Sequence, residues 1–222
     1  MKKSFLVIFL VLLIDQGVKF WVKTTMYLGQ EYKVLGNWFT IHFTENYGMA
    51  FGMEFGGGYG KLFLSLFRIV FVIAIIWYLY KLTRTKYDSL YVITLSLIIA
   101  GALGNLIDSA FYGMVFNSSE YQVAQLFSTE GGYSKFLHGK VVDMLYFPIL
   151  EGHFPSWFPI WGNEDFIFFR PIFNIADSSI SIGVLLWIIF QKRFMKSMEL
   201  KVESDIQTET PTVEKSPETL AE

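Results

Sequence analysis

Residues 171–181 read Pro171-Ile172-Phe173-Asn174-Ile175-Ala176-Asp177-Ser178-Ser179-Ile180-Ser181, and residues 182–190 follow without a single charge. Taken from 172 to 190, this run approaches the roughly 20 apolar residues that a helix needs to cross a bilayer. Pro171 suits the first turn of such a helix, where its missing N–H is not needed. Asn174, Asp177, Ser178 and Ser181 fall at helical spacing and predict a polar stripe on an apolar cylinder. At ~1.5 Å per residue, Asp177 would sit about 8 Å inside the helix end. A charge there costs at least ~2.5–3.5 kcal/mol on insertion scales, so it calls for a partner or a purpose.

Outward from this segment, residues 5–22, 62–80 and 90–107 are the other stretches long and apolar enough to span. Four spans place both termini on one side. Lys2 and Lys3 precede the first, Lys81, Arg84 and Lys86 join the second to the third, and Lys192, Arg193 and Lys196 follow the fourth. The positive-inside rule makes those segments cytoplasmic and residues 23–61 and 108–171 external. Lys2-Lys3 before an apolar run also resembles a secretory signal, but no small-residue cleavage site follows, so the segment reads as an uncleaved span.

The composition agrees. Only 17% of the 222 residues are charged, against roughly 25% in soluble domains, and mean hydropathy is +0.40. The chain has no cysteine, which excludes disulfides, thiolate metal sites and a cysteine nucleophile. His42, His138 and His153 lie too far apart for a local metal motif. Neither a phosphate-binding glycine loop nor a basic patch with interleaved aromatics is present, so no metal, cofactor or nucleic acid is expected.

Further polar groups occur where they are expensive. Asp15 and Lys19 are four apart on the first span and share a face, as an ion pair or as support for a site. Arg68 lies two turns into the second span, able to snorkel or to pair across helices. Ala100 and Gly104 form a small-xxx-small pair on the third; Asn105 and Asp108, three apart, face one way at its outer end. Asp143 interrupts the apolar run Val141-Val142-Asp143-Met144-Leu145 just outside the membrane. Alone it is a weak signal. Beside Asp177 it offers a second acid at the same boundary, and two close carboxylates share a proton, the condition for metal-free acid–base hydrolysis.

In the first external connection, residues 38–44 alternate apolar Phe39, Ile41 and Phe43 with Thr40, His42 and Thr44, the period of a half-buried strand. The second holds two long pieces, 110–140 and 145–170, of the length of functional lids. Trp157, Phe158 and Trp161, near Pro155 and Pro159, suit the membrane interface. Residues 198–222 carry seven acidic and two basic residues with few aromatics, and predict a disordered cytoplasmic tail. The expected fold is therefore mainly α: a polytopic membrane domain over 1–197, with four transmembrane helices, a small extracytoplasmic β-sheet and long outer loops.

From Asp15 to Phe190 the chain resembles the lipoprotein signal peptidases, the signal peptidase II family of bacterial membrane aspartic proteases. The resemblance rests on five segments in order: Asp15-Gln16 with Lys19; Asn46-Tyr47-Gly48-Met49-Ala50-Phe51-Gly52; Gly101-Ala102-Leu103-Gly104-Asn105-Leu106-Ile107-Asp108; Val141-Val142-Asp143; and Phe173-Asn174-Ile175-Ala176-Asp177-Ser178. It implies Asp143 and Asp177 as the catalytic pair, with Asp15, Lys19, Asn46, Gly48, Gly104, Asn105, Asp108, Asn174 and Ala176 lining or supporting the site. Asn46 and Asn105 are then candidates to hold the peptide carbonyl or oxyanion. The implied substrate is a diacylglyceryl-modified prolipoprotein, cleaved just before its lipidated cysteine at the outer face of the bacterial inner membrane. A globomycin-type cyclic peptide is the implied inhibitor, and a monomer in membrane lipid the expected working unit. Ser109 stands where the family commonly has Arg, and the segments flanking Asp143 are longer than in compact members.

Two other readings compete. A proton-coupled carrier would use Asp15, Lys19 and Asp177 as an ion relay and would favour acids near mid-span. A non-enzymatic lipoprotein-binding factor would keep the aromatic loops without needing both aspartates.

Overall fold

The computed structural model describes residues 2–48, 57–84, 88–168 and 171–209. Met49, Ala50, Phe51 and Gly52, together with Lys86, Arg170 and the end of the tail from 210 onward, lie outside the described residues. Four long apolar helices form the frame: α1 (Lys2–Thr25), α2 (Gly57–Thr83), α3 (Ser89–Ile107) and α5 (Ile175–Glu209), with the short α4 (Gly113–Val115) between the last two. All four are long and apolar enough to cross a membrane.

Helix α3 is the centre of the bundle and packs against α1, α2 and α5. Small residues permit this. A Cβ on Gly101 would stand 2.2 Å from the Ala176 carbonyl of α5, and one on Gly104 would stand 2.6 Å from the Asp15 carboxylate of α1 and 3.0 Å from the Ala176 methyl. At the end that holds the N-terminus, Leu79, Leu82, Tyr91, Leu95 and Phe194 bury one another with Ile8 against them. Asp88 caps α3 there by accepting from the Leu90 N–H at 2.8 Å, and also accepts from Arg193 of α5.

At the opposite end, strands β1 (Glu31–Leu35), β2 (Phe39–Asn46), β3 (Val141–Tyr146) and β6 (Ile172–Phe173) form an antiparallel sheet in the order β1-β2-β3-β6. Strands β4 (Leu150–His153) and β5 (Asp165–Phe168) pair as a separate hairpin. Val22, Met26, Phe43, Tyr112, Phe116, Val142 and Met144 bind the sheet to the helix ends. The expected alternation of β2 fails at one point. A one-residue bulge between Ile41 and Thr44 shifts its register against β3, so that Phe43 and Thr40 are both buried while Ile41 and His42 are only half-buried.

The fourth span corrects the sequence reading in three ways. Ile172 and Phe173 are strand, paired with Tyr146 and Leu145, and Pro171 precedes that strand instead of opening a helix. The helix starts at Ile175 because Asn174 caps it: its Oδ1 accepts from the Asp177 N–H at 2.8 Å, which satisfies a donor with no partner inside the helix. The buried face of α5 is Ala176, Ser179 and Gly183, where Ser179 donates to the Leu97 carbonyl at 2.8 Å, while Ser181 is exposed. Helix α5 also continues through Glu209, past the Met198 at which composition places an unfolded tail. A helix already nucleated by a long packed span extends at little cost through residues of good propensity.

The segment 110–140 is folded onto the end of α3. A π-helical turn, Asp108–Tyr112, continues that helix, and beyond it the Ser134, Leu137 and Gly139 N–H groups donate to the carbonyls of Gly113, Ala110 and Ser109. Beneath this cap, Lys23 is fully buried, pairs with Glu45 and Ser119, and lies 4.7 Å from the Tyr133 ring centre. Burial, with the Glu45 charge beside it, holds the Tyr133 hydroxyl well above its usual range.

Candidate active site

Four elements bring acids to the sheet end of the bundle, Asp15 on α1, Asp108 on the π-helical turn, Asp143 on β3 and Asp177 on α5, and one ammonium ties the first two. Lys19 is fully buried on α1. Its Nζ lies 2.9 Å from Asp15 Oδ2 and 2.8 Å from Asp108 Oδ2, and donates to Asn105 Oδ1 at 3.0 Å. Three donors meet three acceptors, as a buried ammonium requires. Asp15 Oδ1 also accepts from the Ala176 N–H at 2.8 Å, which fastens α1 to the first turn of α5. Asp108 is 0% exposed and accepts from Gln16 at 2.9 Å and from the Val142 N–H at 3.2 Å. Asp15 and Lys19 thus form an ion pair that also binds Asn105, Asp108 and the first turn of α5.

From this base, amides reach the two candidate acids. Asn105 Nδ2 donates to Asp177 Oδ1 at 2.7 Å, and Asn174 Nδ2 donates to Asp143 Oδ1 at 2.7 Å and to Asn105 Oδ1 at 3.1 Å. Asn46 Nδ2 donates to the other oxygen of Asp143. Each of Asn174 and Asn46 is oriented by a backbone N–H on its own oxygen: Asp177 N–H on Asn174 and Gly48 N–H on Asn46. The relay from Asp143 through Asn174 and Asn105 to Asp177 therefore runs without a break. Asn46 and Asn105, candidates to hold the peptide carbonyl or oxyanion, donate here to Asp143 and Asp177.

Asp143 is 4% exposed, whereas Asp177 is half-buried. Burial pushes the Asp143 carboxyl up to about 8, and the nearby Asp177 charge adds to it, against the opposing pull of Lys19 and the Asn174 hydrogen bond. One neutral and one charged carboxyl in a common network can donate and accept protons in the same event.

All eleven residues singled out by sequence, including Gly48 and Gly104, join this end of the molecule. Two side chains of α2 reach this end as well, Arg68, to which sequence reasoning gave no role in the site, and Lys61, which it did not single out. Arg68 Nη2 donates to the Gly48 carbonyl at 2.7 Å, and Lys61 Nζ to the Tyr47 carbonyl and to Ser109 Oγ, both at 3.0 Å. Their targets are backbone atoms or a neutral hydroxyl, which leave no charge pattern to read; the expense of Arg68 inside an apolar helix was the available signal. Ser109 is buried and takes its cation from α2.

This chain is similar to known proteins in sequence and fold. Residues 7–193 match the family model of signal peptidase (SPase) II. The chain is 51% identical over 187 residues to a lipoprotein signal peptidase of Porphyromonas gingivalis, covering 84% of this chain and 81% of that protein. A lipoprotein signal peptidase of Amoebophilus asiaticus is 34% identical over 208 residues, covering 92% and 84%. A bacterial membrane enzyme solved in meso at 2.3 Å superposes with a TM-score of 0.57 at 28% identity, over 87% of this chain and 89% of that one.

Proposed function

The chain belongs to the signal peptidase II family, whose activity is removal of lipoprotein signal peptides, and we propose that it performs this with Asp143 and Asp177 as a metal-free aspartic pair. The observation that carries the assignment is the joining of these two acids, from separate elements, by Asn174 and Asn105, with Asp143 buried and Asp177 partly open. Asp143 holds the shared proton. The Asp177 carboxylate takes a proton from water, whose oxygen attacks the scissile carbonyl carbon while Asp143 protonates the carbonyl oxygen. Collapse of the resulting diol returns a proton to Asp143, and the departing nitrogen takes its proton from Asp177 as the C–N bond breaks.

The substrate is a precursor already carrying diacylglyceryl on its cysteine. Its lipid holds the peptide bond at the membrane surface, supplying the positioning that otherwise limits a bimolecular hydrolysis. The basic flanks of the helices support cytoplasmic termini in a bacterial inner membrane, with the sheet end and the acids at the outer face. The working unit is a monomer, and a globomycin-type cyclic peptide is its inhibitor.

The test is cleavage of a diacylglyceryl-modified prolipoprotein, in detergent or liposomes, by the parent and by Asp143→Asn and Asp177→Asn. Chelator-resistant activity in the parent, reduced more than about 10³-fold in both variants while they still fold and bind precursor, is expected. An inert parent, or near-normal turnover in either variant, overturns the assignment and makes proton-coupled transport the next assay.

A further inference from the structure

Helix α2 carries Lys61, Ser65 and Arg68 at the spacing of one face, on an otherwise apolar span. Lys61 is 5% exposed and Ser65 fully buried. All three side chains reach backbone carbonyls of the sheet end: Lys61 that of Tyr47, Ser65 that of Leu137 at 2.9 Å, and Arg68 that of Gly48. The 46–48 turn therefore receives two cations on consecutive carbonyls. Gly48 has φ +86°, and a Cβ there would lie 2.6 Å from Arg68 Nη1, so the guanidinium rests directly on the glycine. The Gly48 N–H in turn engages Asn46 Oδ1, which leaves Asn46 Nδ2 aimed at Asp143.

We propose that Arg68 and Lys61 are positioning residues for the hydrolysis: by fixing the carbonyls of Gly48 and Tyr47 they hold the turn that keeps the Asn46 amide on Asp143. The inference rests on Asp143 being catalytic. It explains why an apolar helix carries two charged side chains whose hydrogen bonds go to backbone and a neutral hydroxyl, and why the turn beneath them is a glycine. The cations act through Asn46. Their effect thus falls on the chemical step and disappears when the amide is absent.

A double-mutant cycle tests this. The parent, Arg68→Gln, Asn46→Ala and the double variant are compared for kcat and KM on the lipidated precursor. Arg68→Gln is expected to lower kcat about 100-fold, the scale of an ångström of misplacement, with KM changed less than about threefold. In the Asn46→Ala background the same substitution should cost less than about threefold. Arg68→Lys, which retains a donor for the Gly48 carbonyl, should recover to within about tenfold of the parent. Costs that add across the two sites, or a loss carried by KM, overturn the proposal. A parallel cycle with Lys61→Gln decides the matter if Arg68→Gln does not fold. Additive cycles in a parent that cleaves precursor and dies as Asp143→Asn remove only the positioning role, whereas an active Asp143→Asn removes the catalytic reading itself.

Discussion

Asp143 is a carboxyl whose surroundings favour its protonated form. It is 4% exposed, and Asp177 from α5, Lys19 from α1 and Asp108 beyond α3 face it; burial dominates and places its titration at about 8. If it carries the shared proton, kcat/KM on the lipidated precursor falls as pH rises through about 8, because the proton destined for the carbonyl oxygen is lost. A profile flat to pH 9.5 would sink this assignment. The same shift has a stability consequence of determinate sign. A carboxyl titrating at about 8 when folded and near the ordinary 3.8 when unfolded binds more protons in the folded state between those limits. Stability then decreases as pH rises from about 4 to about 8. Thermal melts in detergent should show this slope in the parent and a smaller one in Asp143→Asn. Asp143 was only weakly legible by itself, as a lone carboxylate in an apolar run, and became a candidate when set beside Asp177. The amides were legible as residues but not in their orientations, which depend on the Gly48 and Asp177 backbone N–H groups and hence on the turn and cap that tertiary structure builds.

Between helices, the decisive unit is the contact of α1, α3 and α5 around Lys19. One buried ammonium neutralises Asp15 and Asp108 and holds Asn105, while Asp15 also takes the first-turn N–H of Ala176. Lys19→Met leaves two carboxylates buried without a counter-charge. Breaking a buried pair this way costs about 3–5 kcal/mol. Unfolding in detergent should show a loss of that order, and adding Asp15→Asn and Asp108→Asn to Lys19→Met should restore most of it. If Lys19→Met alone is as stable as the parent, the ammonium is not what joins these helices. Sequence periodicity reached much of this unit, since i,i+4 and i,i+3 spacing places Asp15 with Lys19 and Asn105 with Asp108. It misjudged α5 because an apolar pair beside an apolar span looks like more span. Ile172 and Phe173 become strand only because β3 offers them an edge and Asn174 caps the helix that follows.

Across the whole molecule, the polar chemistry and the basic flanks lie at opposite ends. Lys81 folds over Trp77 at 3.9 Å, and Arg193 pairs with Asp88, at the end that also holds the N-terminus. The acids, the sheet and the 110–140 cap occupy the other. The four apolar helices were readable because apolar length is a property of a segment, as is the charge asymmetry on which the proposed direction rests. The packing of the 110–140 cap was not, because it depends on long-range contacts such as Gly139 N–H on Ser109 and Lys23 beneath Tyr133. The absence of cysteine from the chain makes the proposed orientation directly measurable. Tyr121, 100% exposed in the cap, as Tyr121→Cys should react with a membrane-impermeant maleimide in intact cells, whereas exposed Lys3, as Lys3→Cys, should react only after permeabilisation. The opposite pattern would place Asp143 and Asp177 on the cytoplasmic side, where a precursor's lipid-anchored cleavage site at the outer surface never reaches them.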